Sequence, residues 1–417
     1  MTIDGDVDAE RWNYHPDRES VISEPHARPS LPVSPTDLIV HLGFSCSKSV
    51  TERLLIALDG HGSVESQRYL SKVFGNVRVK LEHHTEFVTL TCIAAGSHKH
   101  NEIYKVIDSL LFNSDLEMIV MAQVVMCEDA SELQKLLSDK HTVYGGTMRG
   151  KLNVRSTLTP NVDGCLVYFA YAETGSNEEV GRRIQRLLEM ETYRTMCLLG
   201  LPVARRTGQK LLALEDGINR TIARMNNDHD TESQELFNEL TQLSKDSNKL
   251  LADTRFRFSA SGAYYNLTQQ RLESLEEAKS SNIQTISGFV RSRLAPGNAT
   301  INSIAKRQAT LAADLNNALS LLRTQVDLGI NRDNQALLQS MDARHRQQIV
   351  IAQAVEGLSA VAITYYAIGL LSYVIKGTHY WLPFSQNAVI AMAVPLILVG
   401  IWSFLRFKRT KWEREVR

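Results

Sequence analysis

The sequence predicts an α+β domain followed by long antiparallel helices and a C-terminal pair of membrane-spanning helices. Short alternating segments dominate the first part of the chain, and long stretches with helical spacing follow. Two uncharged apolar segments lie close together near the end of the chain. The predicted boundaries are an irregular arm over residues 1–36, an α+β domain over 37–175, a helical region over 176–298, a stalk helix with two spans over 299–405, and a basic tail over 406–417.

The N-terminal arm is predicted from its proline content. Five of the ten prolines lie in the segment that ends at Pro35, and the first ten residues lack the basic start and apolar run of a signal peptide. His26 and Arg28 stand between two prolines, in a stretch that must be stiff and extended. Two interpretations stay open for this stretch: a contact with an anion or a partner, and a structural arm that packs on the domain.

The α+β domain is predicted from short apolar segments. Val77–Leu81 alternates apolar and polar residues, and Phe87–Cys92 follows after a polar connection, so the two form a predicted hairpin. Leu116–Met126 is almost continuously apolar, which is typical of a central strand. Further strands are predicted over 152–158 and 165–171, and helices over 48–58, 101–112 and 131–137.

Long helices are predicted beyond Asn177, where apolar residues recur at intervals of three and four. Glu178–Leu199 forms one amphipathic helix, which Leu201-Pro202 interrupts before a second helical tract. A third helix is predicted from about Phe258 to Leu294, with Pro296-Gly297 at its end, and a fourth from near Thr300. The fourth helix has a coiled-coil-like apolar seam with a stutter, so a strict heptad repeat over its full length is not expected.

Two apolar segments predict the membrane hairpin. Gly357–Ile375 has 19 residues and Ala388–Leu405 has 18, both without a charge, and a bilayer requires about 20 residues. The connection contains Tyr380 and Trp381, aromatic types that favour the membrane interface. The alternative is a buried helical hairpin in a soluble protein.

Basic residues predict the orientation of the hairpin. Arg406, Lys408 and Arg409 open the basic tail, whereas the connection between the spans contains only Lys376. Because basic residues accumulate on the cytosolic side, both termini are predicted to lie in the cytosol. Membrane lipid is therefore a predicted partner of the chain.

The composition limits the remaining classes of function. The 46 basic and 46 acidic residues give a formal net charge of zero, which argues against nucleic acid as a partner. A hydrophobic content of 43% excludes a disordered chain. The five cysteines form no CxxC pair, so neither a zinc ribbon nor a disulfide framework is predicted. No cofactor is predicted, and a divalent cation is the one candidate ligand.

Several segments together resemble a bacterial family of membrane-anchored proteins whose function is not assigned. These segments are Glu24–Pro29, Glu82–Phe87, Gly181–Arg194, Arg255–Ala260, Arg293–Pro296 and Val355–Tyr366. The resemblance covers nearly the whole chain and implies attachment to the bacterial inner membrane. It implies no catalytic residues.

The order of the elements also resembles the layout of CorA-type magnesium channels. That resemblance implies a homo-oligomer, a pentamer if the layout is CorA-like, in which the first spans line a pore. The Gly-Met-Asn motif that closes the first span in that family is absent from Gly369–Gly377, and the connection between the spans has no acidic residue. Both departures argue against magnesium selectivity.

Two groups of residues are candidates for ion contacts. Glu356 lies at the cytosolic mouth of the first span, and with Thr364 and Ser372 it forms the set of candidate pore residues. The alternative for Glu356 is an interfacial ion pair with Arg346 or with a neighbouring chain. The second group holds the densest set of metal-ligand types, Glu82, His83, His84 and Glu86, for which the alternative is four solvated side chains on a turn.

The leading functional hypothesis is an oligomeric membrane protein that moves a cation under the control of its cytosolic domain. The rival hypothesis is a non-conducting membrane-anchored scaffold that binds a partner. The arginine-rich helix with Arg182, Arg186 and Arg194 is interpreted as a salt-bridged surface or a subunit contact. No acid–base or nucleophile constellation stands out, so an enzyme is not predicted, and an anchored enzyme is kept only as a third hypothesis.

Overall fold

A computed structural model gives the fold, which divides into two compact units, Met1–Leu319 and Ser320–Arg417. The structure describes residues 13, 15–23, 29–45, 48–59, 69–96, 99–111, 116–140, 142–149, 151–227, 233–280, 283–377 and 386–415. The helices are α1 (Arg18–Ser23), α2 (Lys48–Asp59), α3 (Lys99–Leu111), α4 (Ala130–Leu137), α5 (Asn177–Leu198), α6 (Gly200–Asn227), α7 (Ser233–Ser274), α8 (Ile286–Gly377) and α9 (Gln386–Glu415). The strands are β1 (Leu38–Ser45), β2 (Tyr69–Phe74), β3 (Val77–His83), β4 (Val88–Ala94), β5 (Glu117–Met126), β6 (Tyr144–Met148), β7 (Leu152–Ser156), β8 (Leu166–Ala172) and β9 (Ala278–Lys279).

The first unit contains the predicted α+β fold. Within the described ranges, nine strands form one sheet in the order β2-β3-β4-β1-β5-β8-β7-β6-β9. Only β5 and β8 pair in parallel, and the other neighbours are antiparallel. The predicted hairpin is formed by β3 and β4, and the apolar strand β5 lies in the middle of the sheet.

One face of the sheet packs on α2 and α3. Val40, Leu81 and Leu90 point to this face and meet Leu58 of α2 and Ile103 of α3, all of them buried. Alternate residues of β1, β3 and β4 supply the contacts because side chains along a strand alternate between faces. Burial of each large aliphatic side chain contributes about 1.5–3 kcal/mol to folding.

The opposite face packs on α5, with α7 and the start of α8 beside it. Ile184, Leu187 and Met190 of α5 belong to the same buried cluster as Val154 of β7 and Tyr168 of β8. This face is apolar near β5, β7 and β8. Near β1, β3 and β4 it also carries polar side chains, and the candidate site lies there.

The break between the first two long helices is confirmed. Helix α5 ends at Leu198 and α6 begins at Gly200. Pro202 lies in the first turn of α6, where a missing N–H group costs no helical hydrogen bond. Further along, the buried amide of Gln308 in α8 donates to the carbonyl of Leu250 at 3.3 Å and lies 3.1 Å from Thr254 Oγ1, both in α7.

The predicted boundary between the third and fourth long helices is wrong. Helix α7 ends at Ser274, and α8 begins at Ile286 and continues through Pro296. The start of α8 is stabilised by the Glu277 carboxylate, which accepts from the N–H groups of Ile286 (2.9 Å) and Ser287 (2.7 Å). Packing within the first unit therefore outweighs the local cost of the proline.

The second unit contains the remainder of α8 together with α9. Many of its described apolar side chains are exposed, with Leu358 at 74% and Leu370 at 68%. Within the described part of the chain, one helix, Ile286–Val374, contains a window long and apolar enough to cross a membrane, and 6% of that window is buried. Helix α9 contributes a shorter apolar stretch, Ile390–Phe404.

The four cysteines in the described ranges are all unpaired and buried in the first unit. Burial raises the pKa of the Cys92 thiol to about 12. It also raises the pKa of the other three thiols to about 11, and these belong to Cys127, Cys165 and Cys197. At neutral pH these thiols are protonated and therefore weakly nucleophilic.

Candidate functional site

Helix α5 carries the arginine-rich segment, and a capping box fixes where it begins. Ser176 Oγ accepts from the N–H of Glu179 at 3.3 Å, and the Glu179 carboxylate accepts from the N–H of Ser176 at 3.4 Å. Both N–H groups would otherwise lack a partner at the start of the helix. The fixed start places Ile184 and Leu188 on the sheet.

Three polar side chains lie side by side on the sheet beneath α5. Lys80 of β3 is in register with Thr91 of β4, and Thr91 is in register with His41 of β1. The His41 ring lies between two hydroxyl groups, with Nδ1 2.8 Å from Thr91 Oγ1 and Nε2 2.9 Å from Thr192 Oγ1 of α5. Thr192 Oγ1 donates to the carbonyl of Leu188 at 2.9 Å. His41 Nε2 must therefore donate to Thr192, and Nδ1 must accept from Thr91.

The electrostatics of this cluster keep His41 neutral. Its pKa is lowered to about 3, first by burial and then by the nearby charge of Lys80. Lys80 is itself buried and compensated, because its ammonium lies 3.1 Å from the Glu82 carboxylate and 3.4 Å from Gln185 Oε1. The cluster therefore joins helix to sheet through His41, which is neutral at neutral pH.

The N-terminal arm closes a small cavity over this cluster. The cavity has a volume of about 30 Å³, and Leu31 and Val33 of the arm form part of its wall. The N–H of Val33 donates to the carbonyl of Asn177 at 2.9 Å. A Cβ at position 181 would lie 2.0 Å from the Leu31 carbonyl oxygen, so only glycine allows the arm to approach α5 this closely at Gly181.

An open groove of about 570 Å³ adjoins the cavity, and Gln185 and Glu189 line both. Three guanidinium groups line it, and we call it the arginine groove after Arg182, Arg186 and Arg271. Arg271 pairs with Glu189, and Arg186 donates to the carbonyl of Ser274 at 3.3 Å. Arg182 is exposed and makes no salt bridge with any described residue. Guanidinium groups in this arrangement can bind a carboxylate or a phosphate.

Comparison with protein families gives a match over nearly the whole chain. Residues 13–412 match the model of DUF3422, a protein family of unknown function. The chain belongs to DUF3422. No curated protein matches the sequence. DUF3422 has no assigned activity. The chemistry of the site is therefore inferred from the side chains that form it.

One further charge of α5 in this DUF3422 protein belongs to the core. Glu191 is buried, accepts from the Tyr168 hydroxyl at 3.0 Å and pairs with Arg194. Burial and the Glu191 charge raise the pKa of Tyr168 well above its usual value. On the outside of α5, Arg183 lies 3.8 Å from Glu179. Of these contacts, the Tyr168–Glu191 hydrogen bond joins α5 to β8, and the two ion pairs lie within α5.

The structure of the DUF3422 chain does not bring together the predicted metal ligands, Glu82, His83, His84 and Glu86. Glu82 pairs with Lys80, Glu86 pairs with Arg257, and the His84 ring stacks on Phe87 with centroids 4.1 Å apart. In the described ranges, no group of three or more His, Cys, Asp or Glu side chains could hold a metal ion. The geometry of this turn thus gives no support to a metal site.

The three candidate pore residues have different surroundings in α8. Glu356 is exposed, Ser372 is half-buried, and Thr364 is buried and donates to the carbonyl of Ala360 at 2.8 Å. Ala360 and Thr364 line a cavity of about 290 Å³ together with Trp402 of α9. These two α8 residues therefore face α9.

The structure describes only some of the residues that were predicted to contact an anion or partner or to lie at the membrane interface. The guanidinium of Arg406 lies 5.0 Å from the centre of the Trp402 ring. His26, Arg28, Tyr380 and Trp381 lie outside the described residues, as do the side chains of Lys408 and Arg409. Their roles stay predictions.

Three members of the site, His41, Lys80 and Arg271, were not predicted from the sequence. A lone histidine inside the apolar run of β1 was one available signal. The alternation around Lys80 indicates that the strand has a second face. Nothing nearby in the sequence shows that this face is covered by a helix whose Gln185 lies 105 residues later. No local sequence pattern marks Arg271 as a member of the site.

Proposed function

We propose that this protein is a membrane-anchored binding protein, with its α+β body on the cytosolic side and an acidic partner segment as ligand of the arginine groove. The observation that carries the anchoring is the apolar window of α8, of which 6% is buried. A core helix of a soluble protein would bury such a window. Lipid is a solvent in which an exposed apolar helix is stable.

The proposed anchor includes the apolar stretch of α9 as the second span of a hairpin. Residues of both helices line the cavity around Thr364, which supports a paired arrangement. Basic residues in the tail support a cytosolic location for both termini, in the bacterial inner membrane.

The proposed binding role rests on the arginine groove. It has an open volume of about 570 Å³ and three arginines against two glutamates, Glu178 and Glu189. Of the three, Arg182 is both exposed and without a salt bridge among the described residues. An extended acidic peptide fits an open groove of this charge better than a small, deeply enclosed ligand does.

A second candidate function is a CorA-like cation channel. The exposed carboxylate of Glu356 favours it, since a ring of such groups in an oligomer attracts cations. The packing of Thr364 against α9 argues the other way, because a pore-lining residue must face the axis of the oligomer.

The groove is tested by fluorescence anisotropy with a labelled hexaglutamate peptide and the detergent-solubilised chain. We expect the double variant Arg182→Ala/Arg186→Ala to bind about tenfold more weakly than the parent or worse. The matched control is Arg205→Ala/Arg206→Ala on the exposed side of α6, which removes the same charge. If both double variants weakened peptide binding equally, the loss of net charge would explain the effect. That result would overturn the proposed role of the arginine groove.

The channel is tested by the subunit count and by ion flux. A monomer or dimer in detergent would eliminate it, because two spans per chain enclose a pore only in several copies. For a larger ring, liposome flux is compared between the parent and Glu356→Ala. If the parent and the variant both gave only the flux of empty liposomes, the channel would be excluded and the binding protein would remain as the proposed function.

A further inference from the structure

A second cavity lies in the first unit, on the side of α5 that bears Arg194. Its volume is about 150 Å³, and seven of its nine lining residues are apolar. Leu166 of β8, Leu198 of α5 and Leu294 of α8 form much of the wall. An apolar cavity of roughly this volume is large enough for a molecule the size of benzene.

The two charged lining residues, Arg194 and Arg293, differ in their partners. Arg194 pairs with the buried Glu191, which also accepts from the Tyr168 hydroxyl, so its charge is already compensated. Arg293 is exposed, and its guanidinium lies over the Phe289 ring at 5.6 Å. It makes no salt bridge with any residue that the structure describes. One uncompensated positive charge therefore stands beside an apolar cavity.

The wall includes a strained residue. Leu158 has a φ of +51°, a conformation that a branched side chain adopts at a cost. Ser156 holds it there, since Ser156 Oγ accepts from the N–H of Leu158 at 3.0 Å and donates to the carbonyl of Val167 at 2.7 Å. Strain of this kind concentrates at ligand-contacting positions.

We infer that this cavity binds a small monocarboxylate with an apolar body, about the size of benzoate, whose carboxylate pairs with Arg293. The apolar body fills the space between Leu166, Leu198 and Leu294. A monoanion matches the single free guanidinium, whereas a phosphate dianion would leave a charge uncompensated beside an apolar wall. The cavity shares no lining residue with the arginine groove, so this inference stands independently of the proposed binding role.

The test is ¹⁹F NMR of 4-fluorobenzoate titrated with the full-length chain in detergent. We expect saturable line broadening with the parent, and about tenfold weaker binding or worse with Arg293→Gln. Arg291→Gln is the matched control, because Arg291 lies on the same helix and contacts Gln269 outside the cavity. It should bind like the parent. Leu198→Phe, which fills the cavity, should abolish binding.

The neutral probe 4-fluorobenzamide separates the charge from the shape. It should bind about tenfold more weakly than 4-fluorobenzoate or worse, because it offers no carboxylate to Arg293. Three results would each overturn the assignment: no saturable broadening with the parent, equal affinity for the two probes, or unchanged affinity in Arg293→Gln. Since Arg293 is exposed, that variant is expected to fold.

Discussion

Leucines near the start of α8 and leucines further along the same helix meet opposite surroundings in this protein. In the first unit, Leu294 and Leu315 of α8 are each 1% exposed. In the second unit, Leu337, Leu358 and Leu370 of α8 are 60%, 74% and 68% exposed. The residue type is constant, so the difference lies in what the rest of the chain offers as a neighbour. Burial in the first unit stabilises the fold, whereas a large exposed apolar surface such as that of the second unit is typical of a contact with a membrane or a partner.

The largest effect is expected from charges placed in the exposed apolar stretches of α8 and α9. In the double variant Ile363→Arg/Leu398→Arg, each arginine raises the free energy of insertion by about 2.5–3.5 kcal/mol if the stretches cross the bilayer. We expect the full-length variant to lose its resistance to alkaline carbonate extraction, whereas the parent stays with the membranes.

The control for that experiment is Leu321→Arg/Leu337→Arg, at positions 62% and 60% exposed in α8 before the apolar stretch. It adds the same charge and should remain with the membranes. Release of the parent chain by carbonate would contradict the proposed membrane anchor itself.

The second prediction concerns leucines that the protein itself buries. Leu187→Ala in α5, at a fully buried position, should lower the free energy of unfolding by about 2–5 kcal/mol. Leu337→Ala, at an exposed position, should change it by less than about 0.5 kcal/mol. Urea unfolding of both variants in detergent measures the difference. Equal losses would mean that the exposed leucines are covered by another chain.

The third prediction uses the buried polar face of the sheet. The folded pKa of His41, about 3, lies below its unfolded value of 6.5, so the unfolded state takes up a proton first as the pH falls. The stability that neutral His41 contributes is present above pH 6.5 and is lost towards pH 3, at up to about 1.4 kcal/mol per pH unit. We expect His41→Gln to show a shallower loss of stability between pH 6 and 4.5. Parallel curves for parent and variant would refute it.

The smallest effect is expected at a solvent-exposed ion pair of the second unit. Arg346 lies 2.8 Å from Asp342, one turn away, and both side chains are more than half exposed. Arg346→Ala should therefore change the free energy of unfolding by less than about 0.5 kcal/mol. A loss above 1 kcal/mol in urea unfolding would place Arg346 in a subunit contact.

Much of the sheet follows from local pattern, and the exceptions have physical reasons. Strands β3 and β5 are predicted because alternation and apolar runs report burial directly. The edge strand β2 is largely exposed, β6 carries two glycines, and β9 has two residues. Such strands owe their conformation to pairing with a neighbour, which a single sequence does not display.

The candidate site depends on contacts that are remote in sequence. His41 meets Thr192, 151 residues later, and Lys80 meets Gln185, 105 residues later. The sequence locates the arginines of α5 but gives no sign that the arm lies beside them. It also predicts the end of a helix at Pro296, because Pro296-Gly297 is a typical helix breaker. The true start of α8 was not predicted, because the Glu277 carboxylate that caps it lies outside any local capping pattern.

The buried thiols have a practical consequence for labelling. Since the four described cysteines are buried and protonated at neutral pH, maleimide should react with them slowly in the folded chain. With Cys46, which lies outside the described residues, replaced by serine, a cysteine introduced by Lys376→Cys becomes a selective target for a membrane-impermeant reagent. Under the proposed anchoring, labelling of intact and of broken cells then reports on which side of the bilayer the C-terminal end of α8 is found.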